Sequence, residues 1–462
     1  MSTPLSGPRR RVLLPIVVLL GCALVYLATV ATGLVNTDAR SASLGGWRIA
    51  STGAPWMDDV DVSVADTTDP ETDIYDARVF NFEAPNGHMV VHRSPGVVAA
   101  AVPAYWLSGE GPDESEFSID PGARMAALLA ATGVLLLFLT LRSRMRDSEA
   151  VLATAVFALT TPMWSVVGNS LWTHCITLLG IFGMSWAASR ERWWLVGLFG
   201  GIALWGRLHT TLIVAVLGLG VAWSRRRPDI AVKVGVVSGG FLGLASVWSH
   251  WMYGTWNPAG GYGSNNLESV ATGGFVTGFW NQVANHFGLW VSPDRGVLVW
   301  TPLLLLLLPA VVREWRDLPD WARWLPVGGI LYMLVQGQLN EFMGGDGFYG
   351  QRLGMELLAC VAPAYAFSAH RMGTWAKRLC GPVVGLQFAA ISLGAISEGF
   401  LLHREDAWTD NAFVLALRTL PVVGFWAVLM VAVGWLAGRV WQERRARAET
   451  PTPSPEVIHS AA

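Results

Sequence analysis

The chain has 462 residues, of which 52% are hydrophobic and only 14% are charged, and its net charge is −2. Soluble globular proteins carry about 25% charged residues, so this composition excludes an ordinary soluble enzyme. Several apolar runs approach the ~20 residues that cross a bilayer as a helix. The sequence therefore predicts an all-α polytopic membrane protein.

The first apolar run, residues 12–34, follows three arginines and predicts a retained first span with a cytoplasmic N-terminus. A long loop at residues 34–121 comes next, with fifteen acidic residues, four basic residues and no lysine. The scarcity of basic residues is typical of an extracytoplasmic segment. Its apolar piece, residues 95–107, is too short to span and predicts a re-entrant or interfacial helix.

Further spans follow the apolar runs, and the connections on one side carry most of the Lys and Arg residues. The predicted spans are residues 124–141, 150–167, 171–188, 230–250, 297–312, 324–336, 353–367, 380–400 and 419–436. Residues 193–223 predict a broken hairpin, because Arg207 and His209 interrupt the run. A second extracytoplasmic loop covers residues 251–296.

About 11–13 segments result, in one membrane domain over residues 1–448. Both termini lie in the cytoplasm, and residues 449–462, rich in Pro, Ser and Thr, predict a disordered cytoplasmic tail. The protein is expected in the inner (plasma) membrane. Cys22, Cys175, Cys360 and Cys380 fit no metal-ligand spacing and read as small buried residues.

The carboxylates of the first loop are the first group of candidate functional residues. Asp38 follows the first span closely and could accept a proton from a hydroxyl. Asp58 and Asp59 form a second candidate, as a base or as ligands of a divalent cation. No cofactor is certain, and a solvated acidic loop is the alternative for this pair.

The cationic candidates on the outer side are Arg352, Arg207 and Arg295, which could bind phosphate oxygens through their guanidinium forks. Snorkelling or an ion pair is the alternative for each. Further candidates for substrate contact are His92, Arg93, Trp256, Tyr262, Trp290 and Tyr349. The alternative for the tryptophans is an interfacial belt. No nucleotide-binding motif is present, and nothing points to nucleic acid.

Several short motifs, in this order, resemble the GT-C glycosyltransferases of bacteria, in particular those related to dolichyl-phosphate-mannose-protein mannosyltransferases. They are Asp38 after the first span and the segments 92–97 (HRSPGV), 171–174 (LWTH), 288–296 (GLWVSPDRG), 300–302 (WTP) and 344–352 (GGDGFYGQR). By position, Asp38 matches the aspartate base of that class, and Arg352 matches the arginine that closes its late Gly-rich turn. The Tyr-Pro-Pro-Gly of the group reads Arg93-Ser94-Pro95-Gly96 here, and Asp38 lacks the acidic neighbour common in relatives.

The resemblance implies an inverting membrane enzyme with a long first extracytoplasmic loop. It would move a sugar from a polyprenyl-phosphate donor to a cell-envelope glycan, lipid or protein acceptor on the extracytoplasmic face. The abundance of Arg and Ala over Lys favours a GC-rich bacterial source such as an actinobacterium, and hence arabinofuranose or mannose as the sugar. A polytopic transporter or lipid flippase that uses Arg207 and His209 is the alternative, and a non-catalytic assembly protein is a third hypothesis.

Overall fold

The computed structural model describes residues 7–31, 36–60, 81–262, 276, 278–345, 347–397 and 407–449. The predicted disordered tail, from residue 450 onward, lies outside these residues, as do residues 61–80 and 263–275 of the two predicted outer loops. Within the described ranges the regular secondary structure is helical, apart from one hairpin. Its strands, β1 (Asn81–Glu83) and β2 (Met89–Val91), pair antiparallel.

The α-helices of the described residues are numbered here in chain order. They are α1 Gly7–Leu27, α2 Thr37–Thr52, α3 Pro95–Ser108, α4 Asp120–Leu141, α5 Asp147–Thr160, α6 Thr173–Ala188, α7 Trp193–Gly206, α8 Thr211–Arg225, α9 Pro228–Tyr253, α10 Phe279–Val291, α11 Val297–Trp300, α12 Leu303–Glu314, α13 Asp320–Leu339, α14 Met355–Ser368, α15 Thr374–Ile396, α16 Ala412–Thr419 and α17 Pro421–Glu449.

Five helical segments of the described chain are long and apolar enough to cross a membrane, and shorter apolar helices accompany them. The five are Asp120–Leu141, Leu208–Arg225, Pro228–Tyr253, Thr374–Ile396 and Pro421–Arg444. The last of these exposes large apolar side chains such as Val422, Phe425 and Val428, as expected of a surface that faces lipid rather than water. The predicted fold class, an all-α polytopic membrane protein, is confirmed.

Two predicted spans end earlier than the apolar runs that define them. The first helix stops at Leu27 instead of continuing to residue 34, because the N–H of Thr29 bonds the Tyr26 carbonyl and tightens the last turn. The run at residues 150–167 divides into α5 and a π-helical turn, Met163–Val167. Pro162, which lies between them, has no N–H to continue the first helix.

The predicted break in residues 193–223 is present at Arg207, which has extended backbone between α7 and the turn that leads to α8. Helix α3 approaches this break closely. A Cβ on Gly96 would lie 2.8 Å from the carbonyl carbon of Trp205, so a larger residue would push the two segments apart. This contact brings the start of α3 next to the break.

Helix α2 was not predicted, since its sequence mixes small, polar and charged residues. Asn36 caps its N-terminus by accepting a hydrogen bond from the N–H of Asp38, at 2.7 Å. Gly53, in the left-handed region with φ 78°, ends it. A Cβ on Gly46 would lie 2.2 Å from that of Ala101, so α2 packs directly against α3. The first turn of α2 is thereby fixed relative to the loop that precedes α3.

Candidate active site

Asp38 lies in the first turn of α2, and two arginines that are distant in sequence hold its carboxylate. Arg93 Nη2 donates to Oδ1 at 2.6 Å, and Arg352 Nη1 donates to Oδ2 at 2.5 Å. The Asp38 side chain keeps 23% of its surface accessible, against 11% for Arg93 and 10% for Arg352. Both carboxylate oxygens thus accept charge-assisted hydrogen bonds, while part of the Asp38 side chain stays accessible.

Arg93 lies in the short segment between β2 and α3, and contacts fix its backbone as well as its side chain. The Tyr253 hydroxyl donates to the Arg93 carbonyl oxygen at 2.8 Å. Arg93 Nε also donates to the backbone carbonyl of Asp38 at 3.0 Å. The Arg93 guanidinium therefore binds both the carboxylate and the backbone carbonyl of Asp38, which fixes the orientation of the Asp38 side chain.

Arg352 closes the Gly-rich turn that precedes α14, in which Gly344, Gly345, Gly347 and Gly350 all have positive φ. Residue 346 of this turn lies outside the described part. The Arg352 guanidinium lies over the Trp172 ring at 4.6 Å and over the Phe348 ring at 5.1 Å. Stacking on the two rings orients the plane of the Arg352 guanidinium and leaves the N–H groups at its edge able to bind oxygen atoms.

The charges around Asp38 determine its protonation state. Burial alone would raise the pKa of Asp38, but the Arg93 and Arg352 guanidinium groups outweigh it and hold that pKa well below its usual range. Arg207 adds a smaller effect in the same direction. Asp38 is therefore a carboxylate throughout the physiological pH range, as an acceptor of protons must be.

His92 lies beside the ion pair of Asp38 and Arg93. Burial, with a further contribution from the Arg93 charge, lowers the pKa of His92 to about 4, although Asp38 opposes the shift. Its ring contacts the edge of Phe82, with 5.6 Å between the centroids. At neutral pH the imidazole is uncharged, so it can hydrogen-bond a ligand without adding a charge.

Arg207, at the break between α7 and α8, is held by side chains from two other helices. Nε donates to Thr173 Oγ1 at 3.0 Å, and Nη1 donates to Tyr332 Oη at 3.3 Å and to Gln336 Oε1 at 3.2 Å. Nη2 lies 3.0 Å from His174 Nε2. A cation at this depth is tolerated because polar groups surround it.

Behind Arg207 a buried relay fixes the orientation of His174. His174 Nδ1 lies 2.8 Å from Glu356 Oε1, which also accepts from the Thr177 hydroxyl at 2.7 Å. Glu356 therefore favours the tautomer in which Nδ1 carries the proton and Nε2 accepts from Arg207. Sequence reasoning missed Glu356, Tyr332 and Gln336. The signal for Glu356 was present, since it is a lone acid within an apolar run.

Arg295, predicted to bind the donor phosphate, has a different position. Its side chain is 3% exposed and pairs with Asp294 at 3.2 Å. Nη1 donates to the backbone carbonyls of Phe348 and Gly350, at 3.3 and 3.0 Å. Arg295 thus supports the backbone of the Gly-rich turn that ends at Arg352, and its binding of the donor phosphate stays a prediction.

Asp58 and Asp59 lie apart from the Asp38 pair. Asp58 accepts from His88 Nδ1 at 2.7 Å and from the Met89 N–H at 2.8 Å, and it supports the hairpin. Asp59 pairs with Arg48 and is 69% exposed. Among the described residues, no group of three or more His, Cys, Asp or Glu side chains could hold a metal ion. A divalent cation at these aspartates stays a prediction.

The aromatic candidates fall into different surroundings. Trp256 is 61% exposed and stacks on the His250 ring at 4.0 Å. Trp290 is partly buried in α10. Tyr349 is buried against Trp300, 5.1 Å between centroids. Tyr262 ends a short 3-10 turn, and its side chain lies outside the described part.

The chain is similar to several solved structures of known proteins. No family model matches the sequence, and neither does any curated protein. The chain is similar to the oligosaccharyltransferase of Archaeoglobus fulgidus, crystallised with a tethered acceptor peptide, with a TM-score of 0.47 and 12% identity over 96% of this chain. It covers 60% of the length of that protein.

It is also similar to ArnT from Cupriavidus metallidurans bound to undecaprenyl phosphate. The TM-score is 0.46 and the identity 15%, with 97% of this chain and 82% of ArnT covered. The apo form of ArnT has the same TM-score at 16% identity, over 94% of this chain and 77% of that one.

Proposed function

We propose that the protein is an integral membrane glycosyltransferase that moves one sugar from a polyprenyl-phosphate donor to an acceptor hydroxyl. The observation that carries the proposal is the Asp38 carboxylate between Arg93 and Arg352, with Arg207 in electrostatic reach. A carboxylate base beside cations that can bind a phosphate is the pair of groups that this transfer needs.

In the proposed reaction the donor phosphate binds Arg352 and Arg207. Because the phosphate competes with Asp38 for Arg352, donor binding frees Oδ2 of the carboxylate. Oδ2 takes the proton of the acceptor hydroxyl while the hydroxyl oxygen forms a bond to the anomeric carbon. The bond from that carbon to the phosphate oxygen breaks, and its electron pair stays on the phosphate, which the guanidinium groups stabilise. Attack opposite the leaving phosphate inverts the anomeric configuration.

The proposed orientation puts this reaction on the extracytoplasmic face of the plasma membrane. Its support is the distribution of charge along α4. Asp120 begins this helix, which contacts α2, and Arg142, Arg144 and Arg146 follow its other end. Basic loops favour the cytoplasm, so both termini are proposed to lie there. The residues up to 448 form the membrane domain. The acceptor is a cell-envelope glycan, lipid or protein, and the sugar is arabinofuranose or mannose.

The test is transfer by the purified protein in lipid nanodiscs, supplied with a panel of radiolabelled polyprenyl-phosphate sugars and envelope acceptors. We expect one donor to yield labelled acceptor and free polyprenyl phosphate in equal amounts. Asp113→Asn, a change of an exposed acid in the same loop, should match the wild type. Two results together would contradict the proposal. They are that the folded protein consumes no donor of the panel, and that the Asp38 variants bind the donors as the wild type does.

The transporter or flippase alternative has support from one observation, the buried cluster of Arg207, His174 and Glu356 inside the bundle. Ionisable groups at such positions also mark transport pathways. Proteoliposomes with a fluorescent polyprenyl-phosphate sugar in one leaflet distinguish the two functions. Movement of the label to the other leaflet without breakage of the sugar–phosphate bond would favour transport.

A further inference from the structure

A groove at the end of the bundle remote from Asp38 has no part in the proposed transfer. It has a volume of about 1180 Å³ and lies between α5, α12, α14, α15 and α17. Leu137 and Leu141, at the C-terminal end of α4, line it. The 22 residues of α4 rise about 33 Å, so this groove lies about one helix length from the start of α4, which packs against α2 at Gly122 and Ser43.

The walls of the groove are apolar and their depth fits one leaflet. Residues such as Ala153, Leu307 and Leu358 line its inner part. On α5 the lining runs from Glu149 to Thr160, a rise of about 17 Å at 1.5 Å per residue. This is roughly half of the ~30 Å hydrocarbon thickness of a bilayer. The depth is that of a single acyl chain.

The mouth of the groove carries cations that form no ion pair with the acidic residues that the structure describes. Arg146 pairs with Glu149 at 2.7 Å, and His370 lies 3.5 Å from Glu314. Arg144 and Lys377 also line the mouth, both exposed, and neither forms an ion pair within the described part of the chain. Two cations above an apolar slot match the phosphate of a lipid whose chain enters the slot.

We propose that this groove binds one anionic phospholipid of the leaflet on the Arg- and Lys-rich side, with its phosphate between Arg144 and Lys377. The sugar donor does not fit this role, because its phosphate is proposed to bind Arg352 about one helix length away. One wall is α17, whose outer face is exposed along most of its length, so a lipid can enter sideways from the bilayer.

The test uses the purified full chain in detergent and native mass spectrometry, with phosphatidylglycerol and phosphatidylcholine of the same acyl chains as probes. We expect one phosphatidylglycerol to be retained per chain, and at least about tenfold weaker retention of phosphatidylcholine. The double variant Arg144→Ala/Lys377→Ala should also retain phosphatidylglycerol at least about tenfold more weakly than the wild type does. Arg378→Ala is the matched control, since Arg378 is next to Lys377 but lies over Trp375 and does not line the groove.

A second variant tests the slot independently of charge. Ala153→Trp fills the inner groove and should also reduce retention of phosphatidylglycerol, with the elution volume of the protein unchanged. Equal retention of both lipids by the wild type would overturn the proposal. So would equal losses in the double variant and in Arg378→Ala, because binding would then be adsorption to a basic surface.

Discussion

Arg352 Nη1 donates to Asp38 Oδ2 across 2.5 Å, although the two residues are 314 positions apart in the chain. The contact joins the start of α2 to the end of the Gly-rich turn, and Arg93 completes it from the loop before α3. The proposed general base and the proposed phosphate-binding group thus share one hydrogen bond. The proposed donor must break this bond, which couples donor binding to release of the base.

The first prediction concerns the base. Asp38→Asn should lower transfer by about 10²–10⁴-fold, the usual contribution of a positioned proton acceptor. Donor affinity should stay the same or rise, because the amide no longer holds Arg352 by charge. Initial rates at saturating donor and acceptor, together with a donor-binding isotherm, measure the two effects. Full activity in a folded Asp38→Asn protein would show that another group takes the proton.

The second prediction concerns Arg352, the arginine proposed to bind the donor phosphate. Arg352→Lys keeps the charge but loses the planar fork and its stacking on Trp172 and Phe348. We expect the KM for the donor to rise about tenfold while the KM for the acceptor changes little. Arg124→Lys, an exposed cation beside Asp120, is the control. Equal increases in both KM values would argue against a donor-specific role.

The third prediction concerns Glu356 as a positioning residue. Glu356→Gln keeps the shape but removes the charge that orients His174, so Arg207 loses its alignment. The donor KM should rise by about 10–100-fold, more than the acceptor KM, and Glu356→Asp should recover part of the loss. If Glu356→Gln lowers the unfolding temperature but keeps the wild-type KM values for both substrates, Glu356 has only a structural role.

The fourth prediction is a pH dependence of stability from His92. Its pKa falls from 6.5 to about 4 on folding, since burial opposes the charged form. A lowered pKa contributes stability above the unfolded value, and this contribution is lost as the pH falls from about 6.5 to about 4. Thermal unfolding in detergent between pH 4 and 8 should show this slope, and His92→Gln should reduce it. His250→Gln, at an exposed histidine, should leave the slope unchanged.

The fifth prediction concerns the packing of α15 against α17. A Cβ on Gly385 would lie 2.2 Å from the Met430 carbonyl oxygen, so the helices meet at their backbones. Gly385→Val should destabilise the protein by about 1–3 kcal/mol through overpacking. Gly424→Ala on α17, where nothing lies within 4 Å of the added Cβ, is the control and should not lower the unfolding temperature.

The membrane helices, the break at Arg207 and the Gly-rich turn before Arg352 follow from the sequence by itself. The bilayer requires apolar runs whose backbone bonds internally, and this constraint acts locally. A charge inside such a run, or several glycines in a short segment, marks a departure from a regular helix without any knowledge of the rest of the chain. Arg352 could be chosen as a candidate from its glycine-rich turn, and Asp38 because it closely follows the first apolar run.

The tertiary structure decided which of the candidates meet. Arg93 pairs with Asp38 because α2 and α3 pack through Gly46, and the polar, small-residue sequence of α2 has no clear helical period. Arg295, equally basic in sequence, is turned inward to support the backbone of the Gly-rich turn. Glu356 reaches Arg207 through His174, 182 positions away. Such pairings depend on the packing of distant segments, and no local pattern in the sequence encodes that packing.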